Sequence, residues 1–361
     1  MTIAATFPLD PTATPTSAAE RAARMVDPGF GRVFTDHMAI AHYNATDGWH
    51  DMAIAPRSPL TVDPACAVLH YAQEIFEGLK AYRTAGGPAL FRPDANARRF
   101  QASARRLAMP ELPADLFVES CRALVRSEID WIPDSDGGAL YLRPFMIASE
   151  AFLGVKPSAD YVYMVIASSV GAYFKGGPKA VSIWASENYT RAAPGGTGAA
   201  KCGGNYAASL AAQSEAIAKG CDQVVFLDAV ERRYIEELGG MNIFFVFDDG
   251  SLATPPLSDT ILAGITRDSL IALARDRGLT VREERYALDQ WRADAASGRL
   301  VEAFACGTAA VVTPIGSVKA ASGNFTIGSG GPGQMSLALR DALVAIQRGA
   351  APDPHGWLDR L

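Results

Sequence analysis

Apolar and polar positions along this chain follow two regimes. Phe34 to Tyr43 reads as a strand of mixed pattern. Ala67 to Phe76 and Leu79 to Tyr82 are apolar-rich stretches interrupted by Glu74 and Glu77. Gly78 between them suits a bend, or a point where another group approaches the backbone. Asp94 to Leu107 predicts a helix, with Asp94 as its cap and Phe100, Ala104 and Leu107 at helical spacing. Ala114 to Trp131 predicts a second helix, ended by Pro133 and Gly137-Gly138. Ala139 to Ala148 and Val162 to Val170 are short, apolar and strand-like, yet Arg143 lies inside the first. A buried charge is almost never left unpaired, so Arg143 either points to solvent at an edge or faces a ligand site. Alternation puts Tyr141 on the same face.

After Gly171–Pro178, with its three glycines and a proline, the pattern changes to many short strands between turn signals. Asp248-Asp249-Gly250 predicts a hairpin turn, and Glu302 to Pro314 a strand pair. Helices are expected at Asn205–Lys219, at about Thr266–Arg277 and at Gly333–Arg348. The fold class is therefore α/β: strands, two helices and strands in a first layer, then a barrel-like sheet. The expected organisation is a flexible segment over residues 1–25, an α/β domain over 26–172, a connecting loop over 173–181 and a second domain over 182–361.

Composition narrows the class of function. The 361 residues are 49% hydrophobic and 20% charged, with a net charge of −6. That balance lacks the basic footprint of a nucleic-acid binder, and no apolar run reaches membrane-span length. The N-terminus lacks a basic stretch followed by an apolar core, so it does not read as a secretory signal. Five scattered cysteines without a Cys-x-x-Cys pair suit a reduced, cytoplasmic compartment. The five histidines form no metal-ligand spacing, and no metal is expected.

Lys201 lies in the run Gly195 to Tyr206, in which five of twelve residues are glycine. Three readings compete for it. A phosphate-binding P-loop requires Gly-Lys-Ser/Thr, and Ala200 and Cys202 break that pattern. A plain surface loop is the ordinary reading. The third is a partly desolvated lysine that loses its proton and attacks a carbonyl to form an imine. A pyridoxal phosphate site needs such an amine, a carboxylate for the pyridine nitrogen, and N–H groups for the phosphate. Glu236 and Glu237 adjoin Gly239-Gly240, and only one of the pair can face a buried site. Gly264-Ile265-Thr266 opens an apolar helix, and Gly307-Thr308-Ala309-Ala310 interrupts a strand with small residues. Of Arg98, Arg99, Arg105 and Arg106, one can hold an anion.

Taken in order, these runs resemble the branched-chain amino acid aminotransferases, which are fold-type IV pyridoxal phosphate enzymes of class IV. The matching residues include Phe34 to Met38, Leu69-His70-Tyr71, Phe76-Glu77-Gly78 and Tyr141 to Pro144. They continue through Lys201 to Tyr206, Glu237 to Asn242, Gly264 to Arg267 and Gly307-Thr308-Ala309. The resemblance covers about Phe30 to Val318 and implies a smaller N-terminal α/β sandwich with a larger C-terminal pseudo-barrel that binds pyridoxal 5'-phosphate. It implies that Lys201 carries the cofactor and moves the proton, Glu237 meets the pyridine nitrogen and Tyr206 the ring oxygen. Arg99, Ile265, Thr266 and Thr308 would hold the phosphate. Thr308 and Ala309 would bind the substrate carboxylate, helped by Tyr71 with Arg143 behind it. Phe34, Phe76, Tyr141 and Tyr173 would line the side-chain pocket, with Tyr71, Leu153 and Val155 arriving from the second subunit of a homodimer. The implied reaction is ping-pong transfer between L-leucine, L-isoleucine or L-valine and 2-oxoglutarate, with glutamate and the branched 2-oxo acids as the other members. A redox Cys-x-x-Cys found in some members is replaced here by Ala310 and Thr313.

Overall fold

A computed structural model describes residues 6–12, 14–135, 137–172 and 177–361. The chain divides into two compact units, the first made of Met1–Tyr173, Ala200–Gly203 and Ile346–Leu361, the second of Phe174–Ala199 and Gly204–Ala345. Among the described residues the strands form two nine-stranded sheets.

The first sheet runs Leu358–Arg360, Gly87–Phe91, Leu79–Thr84, Ala139–Ala148, Tyr161–Val170, His37–Asn44 and Gly48–Pro56, with Val33–Phe34 and Glu74–Phe76 attached to its centre. All its pairings are antiparallel. Two helices, Pro93–Arg106 and Ala114–Ser127, contribute Phe100 and Phe117 to the core, where their rings meet Tyr163 at 5.6 and 6.3 Å. Burial of these aromatic faces is the main favourable term holding the helices in place. The first helix begins one residue before the expected Asp94. Arg92 occupies its cap in the left-handed region, at φ +52, and Pro93 supplies the preset φ of the first turn. The expected second helix stops at Ser127, and a single 3₁₀ turn, Ile129–Trp131, continues the chain.

Two expected boundaries require correction. The segment expected to be flexible over residues 1–25 is tied down where it is described. Phe7 is buried, Leu9 bridges to Ile54, and Ala18–Met25 is a helix capped by Ser17. The physical reason is that Phe7 finds apolar partners and Thr16 hydrogen-bonds to Asp36, so ordering is compensated. The expected domain 182–361 also loses its last residues to the first unit. Leu358–Arg360 pairs with Gly87–Phe91, Arg122 grips Asp359 through both carboxylate oxygens, and Arg92 N–H donates to Trp357 O at 2.8 Å.

The second sheet runs Ile235–Leu238, Gln223–Leu227, Val181–Ser186, Val311–Lys319, Leu300–Gly307, Asn242–Phe247, Leu252–Thr254 and Val281–Glu283, with Phe325–Thr326 attached to Val311–Lys319. Val181–Ser186 is parallel to both neighbours. A parallel neighbour requires a crossover, and the connection from Val181–Ser186 to Gln223–Leu227 contains the glycine-rich run and the helix Gly203–Ala218. The core here centres on Phe245, with Tyr286 and Trp291 rings at 4.6 and 5.0 Å. Trp291 belongs to the helix Leu288–Ser297, which the apolar pattern did not predict.

Candidate active site

In the first unit, the candidate residues gather around Phe76. Lys201 Nζ lies 4.7 Å from the Phe76 ring centroid, and Arg143 Cζ also lies 4.7 Å from it. The backbone at Lys201 is fixed on both sides of the peptide plane. Its N–H donates to Ser103 Oγ at 2.9 Å, and its carbonyl accepts from Phe76 N–H at 3.0 Å. Two residues on, Gly203 N–H donates to the Glu74 carboxylate, whose pKa burial raises while that N–H and Arg143 oppose the rise. A lysine against an aromatic face, on a backbone so restrained, is not the plain surface loop of the ordinary reading.

The strand Ala139–Ala148 is interior to its sheet, which excludes the solvent-edge alternative for Arg143. Arg143 Nη2 donates to the Tyr141 hydroxyl at 3.0 Å, and its Nε is buried without a hydrogen-bond partner among the described residues. The Tyr141 hydroxyl also explains Gly78: a Cβ there would overlap it, with Tyr141 Cζ only 3.0 Å away. Phe30, absent from the expected pocket, packs edge-on against Tyr141 at 4.9 Å. Phe34 lies under the Arg57 guanidinium. The Tyr71 hydroxyl donates to Leu153 O, and Leu153 and Val155 are 66% and 89% exposed. Tyr173 lies outside the described residues.

Arg106 is exposed, and the other three candidate arginines separate clearly. Arg98 pairs with Asp94 in the exposed i,i+4 manner and Arg105 with exposed Glu111. Arg99 is held by Glu77, which is fully buried and to which the sequence assigns no role. Nε donates to Oε1 at 2.7 Å and Nη2 to Oε2 at 2.8 Å.

In the second unit, Glu237 is the buried member of the glutamate pair and Glu236 the partly exposed one. Glu236 accepts the Thr260 hydroxyl at 2.6 Å, and burial raises its pKa. Glu237 Oε1 accepts Leu262 N–H at 3.0 Å and lies 2.8 Å from Arg191 Nη1. Arg191 was not singled out by the sequence. Its partners lie 46 residues away or more in sequence at Glu237 and Thr260, and no local pattern signals such a pairing. Asn242 donates to Leu262 O at 3.0 Å and faces Glu237 Oε2 at 3.5 Å. Its side chain also accounts for Gly264, where a Cβ would overlap Asn242 Oδ1.

Gly264 caps the helix Ile265–Asp276 without a side-chain hydrogen bond. The N–H groups of Ile265 and Thr266 thus open a helix whose positive end suits an anion. Thr308, Ala309 and Ala310 are not a gap within one strand. They form the turn between Leu300–Gly307 and Val311–Lys319, with Gly307 opposite Val311. Val311 adopts φ +63, a costly conformation for a β-branched residue. Tyr206 sits one turn into its helix, with its ring 3.5 Å from where a Gly240 Cβ would stand. Cys306 is buried, and burial pushes its thiol up to about 12, so it offers no reactive thiolate. Among the described residues no group of three or more His, Cys, Asp or Glu could hold a metal, and no helix is long and apolar enough to cross a membrane.

The glycines before Lys201 have reasons within the protein itself. A Cβ at Gly198 would stand 2.5 Å from Thr260 Cα, and Gly195 adopts φ +74. The loop is fastened to the following helix by Thr197 and Asn205, which exchange hydrogen bonds at 2.8 Å.

Comparison with known proteins identifies the family. Residues 74–318 match the family described as Amino-transferase class IV. A probable branched-chain-amino-acid aminotransferase of Streptomyces coelicolor is 57% identical over 358 residues, 99% of each chain. The crystal structure of the Escherichia coli branched-chain amino acid aminotransferase superposes with a TM-score of 0.74 at 31% identity, covering 90% of this chain and 99% of that one. The T.th. branched-chain amino acid aminotransferase complexed with N-(5'-phosphopyridoxyl)-L-glutamate gives 0.73 at 33% identity, covering 89% and 98%. The mixed α/β fold is thus the fold-type IV architecture. The chain belongs to the class IV amino-transferases, among the branched-chain-amino-acid aminotransferases, and is a transaminase.

Proposed function

We propose that the protein transfers the amino group reversibly between L-leucine, L-isoleucine or L-valine and 2-oxoglutarate, by a ping-pong mechanism, with pyridoxal 5'-phosphate as cofactor. The observation that carries this reading is Lys201, whose amine lies against Phe76 beside Arg143 on a backbone held by Ser103 and Phe76. The donor set in each unit fits the cofactor in chemistry. The first unit offers Lys201 and the Glu77-held Arg99. The second offers the buried Glu237, Tyr206, and the helix start at Ile265 and Thr266. A relative of this fold is named in complex with a phosphopyridoxyl-glutamate adduct.

When bound, the cofactor supplies an electron sink for carbanionic character at the substrate α-carbon. Lys201 Nζ takes and returns the α-proton. Glu237 would accept the hydrogen bond of a protonated ring nitrogen, and Tyr206 would donate to the ring oxygen. Arg99, Ile265, Thr266 and Thr308 would hold the phosphate, and the N–H groups of Thr308 and Ala309 would hold the substrate carboxylate. Phe34, Phe76 and Tyr141 surround an aliphatic side chain, while Arg143 and the tyrosine hydroxyls receive a γ-carboxylate. Differences of one methylene are worth only about 1–3 kcal/mol, so discrimination among the three aliphatic substrates is weak. Exposed Leu153 and Val155, with Tyr71 beside them, support a homodimer in which these residues serve the other subunit. The five scattered cysteines without a Cys-x-x-Cys pair support a reduced, cytoplasmic location.

The test is a rapid-mixing experiment on the purified protein. Adding L-leucine alone is expected to deplete the visible absorption band in a single half-reaction, and 2-oxoglutarate to restore it. Lys201→Ala is expected to abolish turnover; full turnover in that variant refutes the assignment. D-alanine reacting faster than L-leucine would place the activity with D-amino acid transamination instead.

A further inference from the structure

We propose that Glu77 is a positioning residue for Arg99, setting the direction of its guanidinium so that it grips the cofactor's phosphate. This inference rests on the reading of Arg99 as a phosphate ligand. Glu77 lies between the strands Glu74–Phe76 and Leu79–Thr84 and is fully buried. Four donors face its carboxylate. Arg99 Nε and Nη2 approach at 2.7 and 2.8 Å, Asn96 Nδ2 at 2.7 Å and Gly78 N–H at 3.1 Å. The backbone is fixed as well, since Glu77 N–H donates to Pro144 O at 2.7 Å.

The arrangement is more than a generic buried ion pair. Asn96 and Arg99 are three apart on one helix and so share a face. Asn96 also donates to Gly78 O at 3.3 Å, binding the helix to the tripeptide that contains Glu77. Both neighbours of Glu77 meet other candidate residues. Phe76 lies under Lys201 and Arg143, and Gly78 makes room for the Tyr141 hydroxyl. Glu77 therefore registers the helix bearing Arg99 against the segment that carries the site's aromatic floor.

Two effects of Glu77 oppose one another. Its negative charge offsets that of Arg99 and on Coulomb grounds weakens an anion's binding. Its bidentate grip fixes the plane of a long side chain, which otherwise loses rotamer freedom when the anion binds. The proposal is that orientation outweighs charge.

The experiment uses full-length apoprotein titrated with pyridoxal 5'-phosphate and, separately, with pyridoxal, which lacks the phosphate; binding is read by absorbance. Glu77→Gln is expected to weaken pyridoxal 5'-phosphate by about tenfold, the scale of one immobilised side chain, while pyridoxal changes by less than about twofold. Equal weakening of both ligands would mean a purely structural role, and tighter or unchanged phosphate-ester binding would mean that charge prevails; each overturns the proposal. Arg99→Met is the control. If it shows no selective loss, the Arg99 reading fails and the proposal with it. If it does and Glu77→Gln does not, only the proposal fails. Should Glu77→Gln not fold, Asn96→Ala removes one of the four donors and leaves the ion pair. It carries the same criteria, with a smaller selective loss expected.

Discussion

Replacing Arg191 with methionine removes one partner of a pair in which both side chains are 2% exposed. Methionine keeps a similar length without a donor. The Glu237 carboxylate then loses a charge 2.8 Å from Oε1, and the carbonyls of Thr260 and Gly198 lose donors at 2.9 and 3.3 Å. Breaking a buried ion pair from one side costs about 3–5 kcal/mol, because the remaining charge stays buried. For a folding unit of 150–250 residues each kcal/mol lowers the melting temperature by about 2–4 °C, so the expected drop is about 6–20 °C. The assay is thermal melting of the apoprotein followed by circular dichroism, which keeps cofactor binding out of the measurement. Glu237→Gln is measured beside it, and so is the double variant. The double variant is expected to lose less than the sum, with a coupling of about 0.5–3 kcal/mol. A drop below about 2 °C for Arg191→Met, or strict additivity, would refute the claim that this guanidinium neutralises Glu237.

Burial and the nearby Arg348 lower the Lys80 pKa from 10.5 to about 8. Below pH 8 both folded and unfolded chains hold the proton, and between pH 8 and 10.5 the unfolded chain holds more, so stability rises with pH there by up to about 3 kcal/mol. Lys80→Met is expected to be most stabilising at or below pH 7 and to flatten the rise between pH 8 and 9.5 in urea titrations; parallel curves for variant and wild type would contradict this. Gly264→Ala drives a methyl into Asn242, whose Cγ would lie 3.1 Å away, and threatens the bond from Asn242 to Leu262 O. The expected loss is about 1–3 kcal/mol, and an unaltered melting temperature would show that Asn242 yields without cost.

Much of the first unit was legible because its signals are local. The stripe of Phe100 and Ala104 marks a helix whatever surrounds it, and the apolar run Ala139–Ala148 marks a strand. Even Arg143 announced itself, since a charge inside such a run needs a partner. Asp94 illustrates where local rules fail: a good capping residue sits one place inside a helix whose true cap is Arg92. Pairings at long separation were invisible. Nothing near Arg191 points to Glu237, and nothing near Glu77 distinguishes Arg99 from Arg98 until the helix is laid against the turn. The helix Leu288–Ser297 was missed because its buried residues, Leu288, Trp291 and Asp294, include a carboxylate. Asp294 is satisfied by the Tyr286 hydroxyl at 2.8 Å, a partner outside the helix. Gly198 is required by the backbone of Thr260, a contact that no local pattern signals.

The strand Leu358–Arg360 gives the first sheet a dependence on the direction of synthesis. Its partner, Gly87–Phe91, is made about 270 residues earlier. At roughly 5–20 residues per second, that edge waits about 15–50 s on a ribosome before its neighbour exists. During that interval the backbone donors and acceptors on the outer edge of Gly87–Phe91, away from Leu79–Thr84, are open to any passing strand. The same holds for Arg122, which lacks Asp359 until then. Vectorial folding of the N-terminal unit is thus incomplete by design, and its exposure to mispairing in the cell is set by translation speed rather than by its own stability.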